Sequence, residues 1–531
     1  MAATLVGGSL FGAVWVVPGG AWAAWPAAVL LLATVDRSRP AAAFRAGWWF
    51  GFAAIAAGFH WTPLVITRFS QVPWIGAIPL FVLFCVWGGL QFGVFAWLTA
   101  WLRTATGTPV LCYPIVWVAL ERVWPSILPW QLGQTQAAWL GLVQMVEWTG
   151  TAGVSFMVMW GVALTYRLAR TSWRGRTAER GGGRPMRQAP GPRRAYTGLP
   201  PPFLSCRDRA RPPVWHLGGY LLVLLLVLAW GSRRVGQIRR HLAEQPELRV
   251  ALVQPNVDVD RRLEQCAQLT QEVSRPVDLV CWPESTVEAV PLHWDRFDGI
   301  RSHAPAGTGA GLHGAATAFL LCGGSSFAEQ AAGTETYLIT AFLLDGGDRV
   351  RGRYHKRRLV PFGEYVPGER RLGWLARFNR ADERNLPGHS AEPLVIPDKA
   401  RLGILICYED LFAGLSRDLV RHGADLLVNL TNDAWFAGTT AMRQHQELAR
   451  LRSIETRRYL LRCTTTGSTA VIAPTGEVLA QAPLSQPTTL IATVHCNRMR
   501  TPYARWGDIL GWACVLTTGA LSALGWRWSR A

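Results

Sequence analysis

Residues 401–413 read RLGILICYEDLFA. From Leu402 to Ile406 the apolar residues run on without alternating, the pattern of a strand whose two sheet faces are both covered. The run stops at Cys407, and Tyr408, Glu409 and Asp410 follow at once. Polar groups placed just past a buried strand fall where loops gather at a sheet's end, and sites form there. A cysteine that ends an apolar strand is, taken alone, usually a buried and inert thiol. The rest of the chain must decide whether this one is reactive.

Similar runs recur on both sides. They are LRVALVQPNV (248–257), DLVCWPEST (278–286), TAFLLCGGSSF (317–327), TYLITAFLLD (336–345), ADLLVNLTND (424–433), STAVIAPTGEVLA (468–480) and TTLIATVHC (488–496). Helical patterns lie between some of them, DRRLEQCAQLTQEVSR (260–275) and MRQHQELARLRSIETRR (442–458). An α/β domain of about 260 residues with helices outside its sheets is the economical reading, and it is long enough to bury a core.

Outside this region the chain changes character. Residues 1–35 carry no charged side chain, and Pro18-Gly19-Gly20 divides them into two short apolar spans. Without a basic n-region a cleavable signal peptide is not expected. Further apolar spans are expected at roughly 46–66, 76–99, 109–123, 151–168, 216–232 and 507–526, near the length a bilayer requires. About eight transmembrane helices result. The chain of 531 residues has a formal charge of +19 and 27 tryptophans. The positive charge is concentrated between Arg167 and Arg211, where twelve arginines meet only Glu179 and Asp208. With GGGRP and APGPRR inside it, this stretch reads as a flexible loop rather than a nucleic-acid surface. If the helices alternate, Arg37, Arg39, Arg45, Arg103, the arginine-rich loop 167–213 and the tail RWSRA share one face, the cytoplasmic one by the positive-inside rule. Residues 235–505 then lie outside the cytoplasmic membrane. Trp48, Trp49, Trp61, Trp74, Trp87, Trp506 and Trp526 near the ends of apolar runs fit headgroup-level anchors. The ten cysteines show no CxxC and no metal-ligand spacing with histidine, so neither a disulfide framework nor a metal site is read from them.

Three stretches place an ionisable or nucleophilic residue just after an apolar strand: VCWPES with Glu284, GRYHKRRLVPFGEYVP with Lys356 and Glu364, and ILICYED with Cys407. Thiol acyl transfer needs such a set. A carboxylate can take the thiol proton during attack. An ammonium stabilises the thiolate and then the oxyanion, and the N–H of Tyr408 is a further donor.

WPE, KxxLVPFGEYVP and CYED resemble the text of the nitrilase superfamily of carbon–nitrogen hydrolases. With the membrane frame, the chain resembles the bacterial apolipoprotein N-acyltransferases over almost its whole length, including NDAWF (432–436), QHQELARLRSIETRR (444–458) and TAVIAPTGEV (469–478). The resemblance implies an α-helical membrane bundle carrying an inserted nitrilase-like αββα sandwich. Its segments would be a transmembrane domain at 1–235, a catalytic domain at 243–498 and a last transmembrane helix at 506–527. It implies Cys407 as nucleophile, Glu284 as proton acceptor and Lys356 as oxyanion stabiliser, with Glu364, Tyr408 and Glu409 in support. The implied reaction moves an acyl chain from a phospholipid, typically phosphatidylethanolamine, through a thioester to the α-amine of an apolipoprotein's diacylglyceryl-cysteine. No metal or dissociable cofactor is implied, nucleic acid is not a partner, and a monomer in the inner membrane is expected, with the catalytic domain on the periplasmic side and both termini cytoplasmic.

The chain departs from that family's text at Leu263, where a tryptophan is usual, at Ala441-Met442-Arg443, where Gly-Pro is usual, and at Tyr459, Cys463 and Thr465. These positions are expected to bear on lipid access. Two alternatives keep the same motifs: a membrane-anchored amidase acting on a small substrate, and a silent paralogue that binds lipoproteins without acylating them. The membrane frame argues against the first, and the intact triad text against the second.

Overall fold

The computed structural model describes all residues except 18, 36–38, 71, 107–109, 181–213, 298–299, 301–316, 330–334, 369–370, 372–383 and 531. Pro18, Arg37, GGGRP and APGPRR therefore lie outside the described residues.

The amino-terminal part is helical: α1 (Ala2–Ala13), α2 (Ala24–Val35), α3 (Pro40–Gly58), α4 (Thr62–Ser70), α5 (Trp74–Thr106), α6 (Cys112–Val123), the single turns α7 (Leu140–Val143) and α8 (Val146–Thr149), α9 (Thr151–Arg180) and α10 (Val214–Ala243). Four described helices are long and apolar enough to cross a membrane: Trp74–Arg103, Thr151–Thr171, Trp215–Ala243 and Ile509–Arg527.

Three expectations are corrected. The span at 46–66 is not one helix. α3 ends at Gly58 and α4 restarts at Thr62, bent by 58°. Pro63 has no N–H to continue the α3 ladder but fits the first turn of a new helix, and Thr62 Oγ1 donates to Phe59 O at 2.7 Å to close the corner. The span at 109–123 shrinks to the 12 residues of α6, about 18 Å at 1.5 Å per residue against a hydrocarbon core of about 30 Å. The arginine-rich stretch does not begin as a loop, because α9 carries Arg167, Arg170, Arg174, Arg176 and Arg180. Leucine, alanine and arginine are good helix formers, and no proline intervenes there.

α10 leaves no linker before the α/β part. The same helix places Ile238 and Leu242 in the core between the sheets, and three residues later β1 (Glu247–Gln254) begins. The strands follow as β2 (Leu279–Trp282), β3 (Ala289–Pro291), β4 (Phe319–Glu329), β5 (Glu335–Leu344), β6 (Val350–His355), β7 (Arg384–Asn385), β8 (Leu394–Ile396), β9 (Ala400–Ile406), β10 (Leu426–Thr431), β11 (Leu460–Thr464), β12 (Ala470–Ile472), β13 (Val478–Gln481) and β14 (Thr488–His495). One sheet runs β14-β1-β2-β4-β5-β6, with β3 beside β4 and β7 beside β5; the other runs β13-β12-β11-β10-β9-β8. The inner strands of each are parallel, β1-β2-β4 and β9-β10-β11.

Period-two alternation builds the layers. Leu248, Val250 and Leu252 face the second sheet, where Leu402, Ile404 and Ile406 share their core. Ala251 and Val253 face outward onto Cys266 and Ala267 of α11 (Val259–Gln271). α12 (Ala413–Arg421) and α13 (Ala441–Thr456) cover the other sheet. The result is an αββα sandwich; α14 (Pro502–Trp506) follows it, and α15 (Ile509–Arg530) packs back on α6 of the helical part.

β11, the strand-like run around Cys463, lies at the centre of the second sheet although Arg462 interrupts its apolar text LLRCT. α13 is polar in composition but almost wholly buried. It is wedged between the sandwich and the helical bundle. Gln134 donates to Leu448 O at 3.2 Å, Thr151 Oγ1 to Glu455 Oε1 at 3.1 Å, and Arg457 at its end to Glu147 Oε2 at 2.7 Å. Glu147 also accepts from Arg234 Nε of α10 at 2.9 Å. Buried charges persist when paired and hydrogen-bonded in this way.

Among the tryptophans, Trp74, Trp87, Trp506 and Trp526 are exposed, as anchors should be, but Trp61 is buried and donates to Gln444 Oε1 at 2.7 Å.

Candidate functional site

Glu284, Lys356 and Cys407 each sit just past a strand, at the ends of β2, β6 and β9. Register alone cannot bring them together; the packing of the two sheets does.

Cys407 opens a 3-10 turn (Cys407–Leu411) with φ of +53°. A left-handed backbone at a residue with a Cβ costs on the order of 1–3 kcal/mol and must be held by its surroundings. Asn429 Nδ2 on β10 donates to Cys407 O at 2.9 Å. Glu409 folds back to accept from Ile406 N at 2.8 Å and Tyr354 Oη at 3.0 Å on one oxygen, and from Arg357 N at 2.7 Å and Arg358 N at 3.0 Å on the other. Burial pushes the Glu409 carboxyl up to about 7 against these donors. Tyr408 donates its hydroxyl to Ile127 O in the segment after α6. Of the nine described cysteines, eight are buried and Cys407 is half-buried.

Lys356 is fully buried, and its Nζ donates to Glu284 Oε1 at 3.1 Å and Glu364 Oε1 at 2.5 Å. Burial alone would lower its pKa, but the two carboxylates outweigh that and hold it well above the usual lysine value. Burial raises Glu364, with Lys356 opposing; its second oxygen accepts from Val360 N at 2.9 Å. Burial, and then the negative Glu284, push the Cys407 thiol well above its ordinary range, with Lys356 opposing. The sulfur therefore keeps its proton near neutrality and needs a base to react.

Glu284 is fixed from three sides. Its Oε2 accepts from Asn432 N at 3.0 Å. Behind it, buried Arg262 of α11 donates to Glu284 O at 3.2 Å and Ser285 O at 2.9 Å. Gly323 of β4 passes so close that a Cβ there would lie 2.6 Å from Glu284 Cα. Only a residue without a side chain allows that approach.

The structure thus brings together all six candidates, and adds residues that the motifs did not single out: Arg262, Gly323, Asn429 and Asn432. The Asn432-Asp433 doublet just past β10 carried the same signal as Cys407, a polar pair ending a buried strand. Arg262 and Gly323 left no signal, because their roles are contacts between distant segments.

The helical part forms one wall of the site. Phe69 of α4 meets Trp435 edge-on at 5.0 Å, Trp61 meets Phe436 at 5.7 Å, and Arg68 donates to Ala437 O at 2.6 Å. The expectation that the departures bear on lipid access fails for two of them. Cys463 donates to Val253 O and Cys281 O between the sheets, and Tyr459 is buried beside His495. An apolar strand in mid-sandwich has no route to the bilayer. Arg443 does reach the membrane part, donating to Val16 O at 2.7 Å, and Thr465 donates to Asn432 Oδ1 at 2.9 Å.

A two-sheet sandwich with a carboxylate, a buried lysine and a cysteine at its strand ends defines a carbon–nitrogen hydrolase domain, and residues 249–502 match the family model described as Carbon-nitrogen hydrolase. Residues 7–164 match that of the apolipoprotein N-acyltransferase N-terminal domain. An apolipoprotein N-acyltransferase from Geobacter metallireducens is 30% identical over 96% of this chain and 92% of its own length. One from Pseudomonas putida is 28% identical over 92% of each. An amidase from Nesterenkonia sp. of known crystal structure is 19% identical, covering 48% of this chain and 93% of its own, with a TM-score of 0.33. The chain belongs to the apolipoprotein N-acyltransferase family.

Proposed function

We propose that this protein acylates apolipoproteins through a thioester on Cys407. In the first half-reaction Cys407 Sγ attacks the ester carbonyl of a phospholipid, typically phosphatidylethanolamine, while Glu284 takes the thiol proton. The oxyanion forms beside Lys356 and the Tyr408 N–H. Collapse expels the lysophospholipid alkoxide, which recovers the proton from Glu284. In the second half-reaction the α-amine of a diacylglyceryl-cysteine attacks the thioester, Glu284 takes the amine proton, and the thiolate leaves and is reprotonated. An ammonium preorganised in a dry site stabilises developing negative charge without reorganisation. Glu364 holds Lys356, and Glu409 holds the turn of Cys407.

The single observation that carries this reading is Lys356, a buried cation gripped by Glu284 and Glu364, with Phe69 of α4 packed against Gly363 in the loop that bears Glu364. Both substrates are bilayer lipids, and α4 and the Asn432–Phe436 turn meet where such chains would arrive.

We place eight passes across the bacterial inner membrane, α1, α2, α3 with α4, α5, α6, α9, α10 and α15, the shorter ones completed by their flanking turns. Arg39, Arg103, the end of α9 and the C-terminus then share the cytoplasmic end. The segments are a membrane part at 1–235, a catalytic part at 243–498 on the periplasmic side and a last helix at 506–527. One chain carries every group named, so a monomer suffices.

Mass spectrometry of the Cys407 peptide after incubation with phosphatidylethanolamine tests the reading. A hydroxylamine-labile gain of one acyl chain, absent in Cys407→Ser, is expected. Folded protein that no phospholipid acylates would leave the amidase or the silent binder.

A further inference from the structure

Beneath the Cys407 turn lies a second set of buried charges that the reaction above does not use. His445 of α13 places Nε2 2.8 Å from Asp410 Oδ1 and Nδ1 3.4 Å from Asp433 Oδ1. Arg462 of β11 donates to Asp410 Oδ2 and stands 3.9 Å from Asp433 Oδ2. All four side chains are buried. Asp410, Asp433 and Arg462 are the charged groups that act on His445 most strongly among the described residues, and the ring of Phe436 meets it edge-on at 6.2 Å.

What this cluster joins gives it meaning. Asp410 belongs to the turn that Cys407 opens. Asp433 follows Asn432, whose N–H holds Glu284 Oε2. The nucleophile's turn and the base's anchor therefore meet at one imidazole. Nε2 lies within hydrogen-bond distance of Asp410 Oδ1 and Nδ1 stands 3.4 Å from Asp433 Oδ1, a pair of carboxylates that favours a proton on both nitrogens and so an imidazolium. Two cations and two anions then balance, as a fully buried cluster must.

Resting on the acyl-transfer reading, we propose that His445 is a positioning residue of that reaction, whose bridge between Asp410 and Asp433 fixes the Cys407 turn against the Asn432 turn and so holds Glu284 in reach of the sulfur. Burial alone would lower the His445 pKa, but Asp410 and Asp433 raise it to about 9, with Arg462 opposing. Because the folded-state value is raised, the bridge is fully present below the ordinary value of about 6.5 and is lost as pH rises through about 9. Two carboxylates would then share one arginine, and the turns would part.

The test uses full-length protein in nanodiscs, with wild type, His445→Gln and Asp433→Asn compared and folding checked by thermal unfolding. Two rates are read at neutral pH: acyl-enzyme formation from phosphatidylethanolamine and alkylation of Cys407 by iodoacetamide. Both rates should fall about tenfold or more in His445→Gln, as expected for a small misplacement of reacting groups, with KM for the lipid changed less than about twofold. The wild-type acylation rate should decline above about pH 9, a limb absent from His445→Gln. If His445→Gln does not fold, Asp433→Asn carries the same prediction for both rates. Folded variants that keep both rates and the alkaline limb overturn the inference. If wild type alkylates but never acylates, the acyl-transfer reading fails instead, and the alkylation rates still judge the bridge.

Discussion

Asn432 donates its backbone N–H to Glu284 Oε2 at 3.0 Å although 148 residues separate the two. The bond fixes the carboxylate's free oxygen, while Lys356 engages the other at 3.1 Å. Glu284 thus faces the Cys407 side with its orientation set from both sheets, as a general base requires.

The alkylation of Cys407 by a neutral haloacetamide reports that base. Burial and Glu284 keep the thiol protonated at neutral pH, so in wild type the base must assist attack and the rate should be nearly flat between pH 6 and 8. In Glu284→Gln only free thiolate reacts, and the rate should climb about tenfold per pH unit. At pH 7 wild type should be faster by about tenfold or more. Coinciding profiles would remove Glu284 from that role.

Lys356 is the keystone of the site's charge. In Lys356→Met, Glu284 and Glu364 face each other buried and unpaired. Acyl-enzyme formation should become undetectable, and the protein should lose about 3–5 kcal/mol, the usual cost of breaking a buried pair from one side. Thermal unfolding in detergent reads the second effect. Glu364→Gln should be milder, because Lys356 keeps Glu284, with a fall in rate of about 10–100-fold. Equal losses for both variants would contradict this order.

Glu409 braces the turn of Cys407, and its four donors make a sharp case. Each oxygen accepts two hydrogen bonds. A glutamine must turn its NH2 toward one of those pairs, and even on the side where the Tyr354 hydroxyl can rotate to accept, the Ile406 N–H is left facing a donor, at about 1–3 kcal/mol. Glu409→Gln should lower the unfolding temperature and slow acyl-enzyme formation, with the lipid KM little changed. A raised KM at unchanged rate would place Glu409 in substrate binding instead.

Gly363 tests whether the membrane-side helix shapes the site. A Cβ there would fall 1.6 Å from Phe69 Cε1, so Gly363→Ala must displace either α4 or the loop bearing Glu364. Activity should fall about tenfold or more, since overpacking forces backbone shifts, and Phe69→Ala in the same chain should restore much of it. Two losses that simply add, with no rescue, would show that the contact does not matter.

Much of this was legible in the chain itself. Buried strands of parallel pairing read as unbroken apolar runs, so β1, β2, β9 and β10 were visible, and the polar residues ending three of the segments marked Glu284, Lys356 and Cys407. Apolar length likewise announced α5, α9, α10 and α15. All of these are local properties, carried by a few consecutive side chains. What depends on contact across the chain was not visible. The burial of Arg462 inside β11 was not visible, because a buried arginine makes sense only beside Asp410. α13 read as a helix outside the sheets, but its burial was not visible, because the polar partners that bury it lie in the bundle. The stretch 46–66 read as one span, and only packing of α4 against the Asn432–Phe436 turn shows why the chain bends at 59–61. Sequence by itself determined which groups are the candidates for the chemistry. The tertiary structure alone decided how they meet, because their distances, charges and burial come from two sheets and a helix bundle closing on one another.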